Sequence, residues 1–351
     1  MIDTLDTPCV LIDLDIVDRN IAKTQRRFDA LGIGFRPHIK THKLPFLAQL
    51  QLQAGAIGIA AQKVSEAEVF AHAGFTDITL CFNLISPAKI ARARALMDLC
   101  HLTLVADNPT VAAALSKGMQ AAPYPIDVLV ECDTGMHRCG VQSPEAAQAL
   151  AQLIDRSPNL RFAGLMTYPP NHATPQVEAF LAAAKALCLQ TPGHCAIISS
   201  GGTPGLTDAA LAPSVTEYRA GTYIYNDRSL IQLGTCTAND CALTVLATVV
   251  SRPTPTRAII DAGSKALTSD LLGMQGYGLI PAYPNAVIHA LSEEHGHIDL
   301  TLCDAKPEIG EILHIFPNHA CPVSNLFDQV TLHRSGEILR RQTVLARGCV
   351  T

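Results

Sequence analysis

The sequence predicts an α/β fold in which a (β/α)8 barrel is followed by an all-β domain. The chain has 351 residues, of which 48% are hydrophobic, enough to fill one large domain or two ordinary ones. From residue 8 to residue 230, short apolar runs alternate with segments of helical periodicity. After about residue 235 the runs become β-like, with turn signals between them.

The apolar runs of the first part are rich in Val, Ile and Leu, as strands buried on both faces are. They read "CVLIDLD", "GIGFRPHIK", "GAIGIAA", "DITLCFN", "LTLVAD", "IDVLVECDTG", "FAGLMTYPP" and "CAIISSGGTP", with "VTEYRAGTYIYND" as a ninth. Helical stretches such as "SEAEVFAHAG" and "PEAAQALAQLIDR" lie between them. About eight such units in about 220 residues favour a closed barrel, with an open doubly wound sheet as the alternative.

The second part carries period-two patterns in "CALTVLATVVSRP", "TRAIIDAGS", "AVIHALSEEHGHIDL", "EILHIFPNHACPV", "QVTLHRSGEIL" and "RQTVLARG". We find no convincing helix in it. The expected domains are therefore a barrel at 1–234 and a β domain at 235–351, with residues 1–8 able to pair with the β domain instead.

Composition excludes several classes of function. The net charge is −5 and no basic run is present, so a nucleic-acid partner is not expected. No apolar run approaches a membrane span, and the N-terminus lacks the pattern of a signal peptide. The 12 cysteines are scattered without paired spacing, which indicates reduced thiols and a soluble, cytoplasmic protein.

The ends of the predicted strands are unusually polar. In a (β/α)8 barrel the functional site lies at the carboxyl end of the strands. The residues found there are Lys40, Gln62, Lys63, Asp133, His137, Arg138, Tyr168, His172, Ser199, Ser200, Thr203, Arg219, Thr222, Tyr223 and Asp227. We therefore expect the site at this mouth.

The stretch "SSGGTP" combines hydroxyl side chains with two glycines after an apolar strand. Backbone N–H groups at such a turn can cradle a phosphate, although a tight turn with a helix cap gives the same pattern. A second small-residue turn, "AGTY", follows the next strand. Because the loops after the last two strands are the usual phosphate site of a barrel, the pair favours phosphate binding.

Lys40 lies in "RPHIKTHK", a strand-to-turn segment with several basic residues. A lysine amine in a desolvated pocket beside Arg36, His38 and Lys43 would become reactive toward a carbonyl, and the alternative is a solvated basic turn. An amine and a phosphate cradle at one mouth point to pyridoxal 5′-phosphate, which needs both.

The ordered motifs "RPHIKTHK", "QKVSEAE", "ECDTGMHRCGV", "GLMTYP", "SSGGTP", "EYRAGTYIYND", "SEEHG" and "PNHACPVSNL" resemble the D-threonine aldolase and D-serine dehydratase family. These are fold-type III, alanine racemase-like pyridoxal-phosphate enzymes. The resemblance covers residues 6 to 347 and implies a homodimer acting on a small-molecule substrate. It implies that Lys40 is the Schiff-base lysine. The cofactor would also contact Gln62, Arg138, Tyr168, Ser200, Gly201, Gly202, Thr203, Gly221 and Thr222.

His319 and Cys321 match the metal pair of this family, which is His-x-Asp in the aldolases and His-x-Cys in the dehydratases. On a strand, residues i and i+2 point to the same side, so both could reach one ion. Thiolate plus imidazole favours zinc, with manganese or magnesium as alternatives. Without the resemblance, "HAC" would be an ordinary buried cysteine beside a loop histidine.

The resemblance implies a lyase that acts on 3-hydroxy-D-amino acids. Aldol cleavage would give glycine and an aldehyde, with His172 as a candidate second base. Dehydration of D-serine or 3-hydroxy-D-aspartate would give a 2-oxo acid and ammonia. A racemase would need a tyrosine base, for which Tyr277 and Tyr283 are the candidates after residue 235. The remaining alternative is a non-catalytic carrier of pyridoxal phosphate, which would resemble the barrel alone.

Overall fold

The structure is a computed structural model that describes residues 2–171, 175–190 and 195–351. The strands, in chain order, are β1 Cys9–Asp13, β2 Gly34–Phe35, β3 Ile59–Ala61, β4 Asp77–Leu80, β5 His101–Ala106, β6 Ile126–Cys132, β7 Leu160–Thr167, β8 Ile197–Ser200, β9 Glu217–Tyr218, β10 Leu243–Thr254, β11 Arg257–Ile260, β12 Val287–Leu291, β13 Gly296–Asp299, β14 Ile312–Ile315, β15 Gln329–Arg334 and β16 Glu337–Thr343. The helices are α1 Leu14–Leu31, α2 Pro45–Gln53, α3 Val64–His72, α4 Pro87–Leu96, α5 Pro109–Gly118, α6 Pro144–Arg156, α7 Pro175–Cys188, α8 Arg228–Gln232, α9 Ser264–Leu267 and α10 Ala320–Leu326. Short 3-10 helices cover Ile2–Thr4, Ile39–Thr41, Thr203–Leu211, Thr222–Ile224 and Ala238–Asp240.

The described residues form two compact units. The barrel unit contains 24–40, 45–221 and 349–351, and the sheet unit contains 2–23, 41–44 and 222–348. These limits differ from the predicted boundary between residues 234 and 235. Residues 2–23 belong to the sheet unit because they contain β1, which pairs with strands of that unit.

The barrel unit is built on a parallel sheet with the order β2-β9-β8-β7-β6-β5-β4-β3. A parallel bridge between His38 and Ala60 joins the segment after β2 to β3, and the Ala60 N–H donates to the Pro37 carbonyl at 2.8 Å. The sheet therefore closes on itself, which confirms the predicted barrel and excludes the open doubly wound alternative.

Apolar side chains from six adjacent strands and their ends pack into one cluster enclosed by the barrel sheet. Its members are Ala60, Cys81, Val105, Leu129, Ala163, Met166 and Ile197. Every residue of β6 is buried, as a strand rich in Val, Ile and Leu predicts, and this includes its two carboxylates, Asp127 and Glu131. The helices cover the outside with one apolar face each; α6 buries Ala147, Leu150, Ala151 and Ile154, at the spacing of a single helix face.

The run "CVLIDLD" was predicted as a barrel strand, and that assignment is wrong. It forms β1, which pairs antiparallel with β10 and parallel with β15. Its place in the barrel is taken by β9, from the ninth run. A short apolar run fits any strand buried on both faces, so its composition does not say to which sheet it belongs.

The sheet unit has the strand order β12-β13-β11-β10-β1-β15-β16, with β14 also pairing with β10. The predicted β-like runs of this part form β10 to β16. The expectation of no helix is wrong for "HACPVSNL", since α10 begins at Ala320. The buried carboxylate of Asp227 accepts a hydrogen bond from the Ala320 N–H at 3.0 Å, and Pro322 lies in the first turn, where proline is tolerated.

In the part of the chain that the structure describes, no helix combines the length and the apolar character needed to cross a bilayer. All 12 cysteines carry free thiols.

Candidate functional site

The predicted cofactor residues of the barrel unit follow the carboxyl ends of parallel strands. Lys40 comes after β2, Gln62 after β3, Arg138 after β6, Tyr168 after β7, Ser200–Thr203 at the end of β8 and Gly221 after β9. Because the carboxyl ends of parallel strands meet at one rim of a barrel, these residues share the same mouth.

The backbone around Lys40 is fixed by a chain of hydrogen bonds. The Lys40 N–H donates to Nδ1 of His38 at 3.4 Å, so the neutral ring carries its proton on Nε2. His38 Nε2 lies 3.1 Å from Oε1 of Gln62, whose amide group donates to the Cys81 carbonyl at 2.8 Å. Gln62 therefore orients the segment that presents Lys40.

Lys43 has a different environment from Lys40. It is buried, and its amine donates to Oδ1 of Asn325 at 2.8 Å within the sheet unit. Its backbone has a φ of 54°, a left-handed conformation that is unfavourable for a side chain of this size. The Ala346 N–H donates to its carbonyl at 3.2 Å. Lys43 is thus built into the fold, which leaves Lys40 as the better candidate for the covalent anchor.

Arg36 is a buried ion-pair partner. Its Nε lies 2.7 Å from Glu217 and its Nη1 lies 2.6 Å from Asp77. Burial disfavours the cation, but these two carboxylates outweigh it and raise the pKa of Arg36. The hypothesis that Arg36 adds positive charge around Lys40 is therefore wrong, because its charge is already compensated.

The loop after β6, "CDTGMHRCG", is shaped by Asp133. Its Oδ1 accepts hydrogen bonds from the N–H groups of Gly135 and His137, both at 3.0 Å. Burial opposes ionisation, but these hydrogen bonds lower the pKa of Asp133. Gly140 has a φ of 123°, and a Cβ there would lie 2.3 Å from the Asp133 nitrogen, so the turn requires glycine.

This loop presents Arg138 over the ring of Tyr168, with the guanidinium carbon 4.9 Å from the ring centroid. Arg138 is about half exposed, and its Nη2 lies 3.9 Å from the buried Glu131 carboxylate. The structure thus brings together the two residues that the resemblance places beside the cofactor.

The turn "SSGGT" follows β8 and leads into the 3-10 helix at Thr203. Gly201 has a φ of 126°, and a Cβ there would lie 2.5 Å from the Arg219 carbonyl oxygen. A Cβ on Gly202 would lie 3.0 Å from the Tyr168 ring. The Tyr218 hydroxyl donates to the Gly202 carbonyl at 2.9 Å. The turn is therefore tightly constrained beside Tyr168.

A buried polar network whose role the sequence left open lies beneath this turn. Arg219 donates to the Ser199 hydroxyl, and to the Thr167 carbonyl at 2.8 Å. Ser199 in turn donates to Glu217, the partner of Arg36. The network links β7, β8 and the β9 region, and it pairs buried charges that would otherwise be costly.

In the sheet unit, His319 and Cys321 lie at the start of α10. His319 is the extended residue before the helix and Cys321 lies in its first turn, so the strand geometry that we predicted is wrong. Their side chains nevertheless meet in a hydrogen bond. They meet because the backbone changes from extended to helical between the two residues.

Other side chains of the sheet unit hold this pair in place. Asp270 lies 2.8 Å from Nδ1 of His319, which leaves Nε2 as the ring nitrogen that could bind a metal ion. Burial opposes protonation, but contacts with Cys321 and Asp270 raise the pKa of His319 to about 9. The Cys321 sulfur lies 3.1 Å from the hydroxyl of Thr41 and 3.5 Å from that of Thr222.

Within the described ranges, no group of three or more His, Cys, Asp or Glu side chains forms a complete metal cage. Two protein ligands would leave open positions for water and substrate, as a catalytic ion requires, whereas a structural zinc ion is held by four protein ligands. Asp270 was not found by sequence reasoning, because it lies 49 residues before its partner in an unremarkable loop.

Two further residues were predicted as candidate bases, one for aldol cleavage and one for racemisation. His172 lies outside the described residues, so its role stays a prediction. Tyr283, a candidate racemase base, donates its hydroxyl to Glu311 at 2.7 Å. Burial and this carboxylate raise the pKa of Tyr283 to about 12, which does not suit a base at neutral pH.

Comparison with known proteins gives two family matches. Residues 12–229 match the family "Alanine racemase, N-terminal domain", and residues 242–333 match the "Putative serine dehydratase domain". The D-threonine aldolase of Arthrobacter sp. is 34% identical over 98% of this chain and 93% of its own. The chain belongs to the D-threonine aldolase and D-serine dehydratase family.

The similar members include aldolases and dehydratases. The D-threo-3-hydroxyaspartate dehydratase of Delftia sp. (strain HT23) is 34% identical over 92% of this chain and 93% of its own. The crystal structure of D-threonine aldolase from Filomicrobium marinum has a TM-score of 0.89 and 30% identity, covering 99% of this chain and 98% of that one. A cysteine-to-alanine mutant of D-threo-3-hydroxyaspartate dehydratase in a metal-free form has a TM-score of 0.88 and 30% identity, covering 97% and 98%.

Membership confirms the alanine racemase-like fold and makes the chain a pyridoxal-phosphate-dependent enzyme of the lyase class. The match of residues 242–333 also argues against a carrier that consists of the barrel alone.

Proposed function

We propose that this enzyme cleaves 3-hydroxy-D-amino acids by a retro-aldol reaction, giving glycine and an aldehyde. The wider motif pattern, "QKVSEAE", "CPVSNL" and the closing "ARG", is the observation that favours the aldolase branch. The His319–Cys321 pair, oriented by Asp270 and hydrogen-bonded to Thr41, supports a metal-assisted reaction of either kind. Thr41 directly follows Lys40 in the chain. A metal-binding pair is thereby anchored to the residue after the predicted covalent lysine.

The barrel unit offers the groups that pyridoxal phosphate requires. Lys40 supplies an amine for the aldehyde, and Arg138 with Tyr168 supplies a cation and a ring to flank the cofactor. The barrel-unit residues that would hold the phosphate are Ser200, Gly201, Gly202, Thr203 and Gly221; the resemblance adds Thr222, which belongs to the sheet unit. When bound, the cofactor supplies an electron sink for the negative charge that develops at the substrate Cα.

The sheet unit offers a ligand pair for a divalent cation. An imidazole with a thiolate favours zinc over manganese or magnesium. An ion held by His319 and Cys321 supplies Lewis acidity at the substrate's β-hydroxyl. Asp270 fixes the imidazole orientation, so the nitrogen that faces the ion needs no reorganisation.

Different residues would carry out the two proton transfers of aldol cleavage. In aldol cleavage the β-hydroxyl proton must leave, and we assign that step to His172. Arg138, which the resemblance places beside the phenolic oxygen of the cofactor, would orient the bound cofactor together with Tyr168. Lys40, once its amine is free, returns a proton to Cα of the glycine product.

A β-elimination is the second candidate, and Cys321 is the observation that favours it, since the dehydratases carry His-x-Cys. Here Lys40 would take the Cα proton and the β-hydroxyl would leave; an ion held by His319 and Cys321 would supply Lewis acidity at that oxygen. D-Serine or 3-hydroxy-D-aspartate would then give a 2-oxo acid and ammonia.

One assay distinguishes the two reactions. The holoenzyme is incubated separately with D-threonine and D-serine, and glycine, acetaldehyde, 2-oxo acid and ammonia are quantified. We expect glycine and acetaldehyde in equal amounts from D-threonine. Formation of only 2-oxo acid and ammonia would show elimination in place of aldol cleavage, and turnover of neither compound would exclude D-threonine and D-serine as substrates.

The proposal includes a homodimer, as the family resemblance implies, and a cytoplasmic location, which the scattered cysteines support. Light scattering on the purified holoenzyme measures the molar mass, and a mass of one 351-residue chain would contradict the dimer.

A further inference from the structure

The hydroxyl of Thr41 lies 3.1 Å from the Cys321 sulfur, although the two residues are 280 positions apart. Thr41 is fully buried. Among the described residues, Cys321 is the partner that the structure shows for this hydroxyl. Both residues belong to the sheet unit. A buried hydroxyl held this close to a sulfur exchanges a hydrogen bond with it.

We infer that Thr41 is a positioning residue for the metal centre, one that donates a hydrogen bond to the Cys321 thiolate. The inference rests on the proposed function, since it requires that His319 and Cys321 bind a divalent ion. A cysteine must lose its proton to bind a metal, so the sulfur then has no proton to donate and the hydroxyl must be the donor.

Such a hydrogen bond has two physical effects. It stabilises the anionic sulfur in a buried site, which favours metal binding. It also withdraws electron density from the sulfur, which weakens the donation of charge to the ion. Thr222 provides a second hydroxyl at 3.5 Å, a longer and therefore weaker contact.

The position of Thr41 gives this contact a further consequence. Thr41 is joined by a peptide bond to Lys40 and ends the 3-10 helix Ile39–Thr41. A fixed hydrogen bond to Cys321 therefore restricts the backbone at Thr41, the residue directly after Lys40.

The test compares Thr41→Val, which removes the hydroxyl at nearly constant shape, with Thr41→Ser, which keeps it. Cobalt(II) replaces the native ion in the pyridoxal-phosphate-loaded protein, and the sulfur-to-cobalt charge-transfer band and the cobalt dissociation constant are measured. Thr41→Val is expected to move the band to longer wavelength and to weaken cobalt binding about 10- to 100-fold. Thr41→Ser is expected to stay close to the native protein in both.

Controls separate this inference from the proposed function. Thr222→Val is expected to change both readouts in the same direction but less than Thr41→Val. Cys321→Ala is expected to abolish the charge-transfer band. If Thr41→Val leaves band and affinity unchanged while Cys321→Ala loses the band, the positioning role is wrong and the metal site stands. Equal losses in Thr41→Val and Thr41→Ser would also overturn the inference, since the hydroxyl would not be responsible. If cobalt binding survives Cys321→Ala unchanged, the proposed metal pair itself is wrong.

Discussion

Lys40 and Lys43 are three residues apart, yet their surroundings in the structure differ. The Lys43 amine is buried against Asn325, and its backbone is held in a left-handed conformation. Lys40 is only partly buried, and its main chain is fixed through His38 and Gln62. The first arrangement stabilises the fold, and the second supports the proposal that Lys40 is the covalent anchor.

We therefore expect Lys40→Ala to abolish the visible absorbance of the lysine-linked cofactor. Lys43→Met should retain that absorbance but lose about 1–3 kcal/mol of unfolding free energy, because Asn325 loses a buried charged partner. Absorbance spectra after reconstitution and urea denaturation measure the two effects. The reverse pattern of absorbance would move the covalent anchor to Lys43.

At the scale of single residues, the sequence indicates candidate residues that lie in short ordered motifs. It does not indicate residues whose contacts come from distant parts of the chain. Arg138 and Tyr168 were both expected beside the cofactor, and the structure places them together. Asp270 and the link from Thr41 to Cys321 depend on contacts across 49 and 280 positions. No local pattern in "LTSDLL" distinguishes an orienting carboxylate from a surface one.

At the scale of elements, the turn after β8 carries strain that only glycine relieves. Gly201 combines a left-handed φ with backbone 2.5 Å from the site of a Cβ, and its neighbour Gly202 lies against Tyr168. The turn has to stay tight because β9 and Arg219 pack directly behind it.

Gly201→Ala is therefore expected to lower the free energy of unfolding by more than about 2 kcal/mol, through φ strain plus a backbone clash. Gly310→Ala is the matched control, since Gly310 also has a positive φ, of 89°, but open space around it. The control should lose only about 1 kcal/mol. Chemical denaturation of both variants checks this, and equal losses would show that the clash is absent.

The same barrel strands carry a buried ion pair between Arg36 and Glu217. Arg36→Met should lower the free energy of unfolding by about 3–5 kcal/mol, since it leaves Glu217 buried without its cation. Arg92→Met removes a partly exposed pair with Glu68 and should cost about 1 kcal/mol or less. Denaturation midpoints decide this, and a loss for Arg36→Met no larger than for Arg92→Met would contradict the importance of burial.

The sequence predicted whether a segment is a helix or a strand where its hydrophobic pattern was long. It did not predict which strands pair with one another. The helical periodicity of α6 and the Val-, Ile- and Leu-rich run of β6 both led to correct assignments. β1 was assigned to the barrel because parallel pairing and mixed-sheet pairing produce the same apolar run. The start of α10 was missed because the Asp227 carboxylate that accepts its first N–H comes from another part of the chain.

At the scale of the whole molecule, the chain places its predicted chemistry in two compact units. The barrel unit carries Lys40, Arg138 and the glycine turn, and the sheet unit carries His319 and Cys321. The order of motifs along the chain was enough to indicate a barrel and a β domain. It could not show that residues 2–23 and 41–44 belong with the C-terminal strands, because that depends on strand pairing and tertiary contacts.

We propose, above all, that the enzyme is a lyase that needs both a cofactor on Lys40 and a divalent ion on His319 and Cys321. The most direct test is exhaustive chelation of the holoenzyme, followed by measurement of D-threonine cleavage and of the cofactor absorbance in the same sample. We expect cleavage to be lost, the absorbance to remain, and zinc to restore cleavage in the native protein but not in His319→Ala. Full cleavage by the metal-free enzyme would contradict the account.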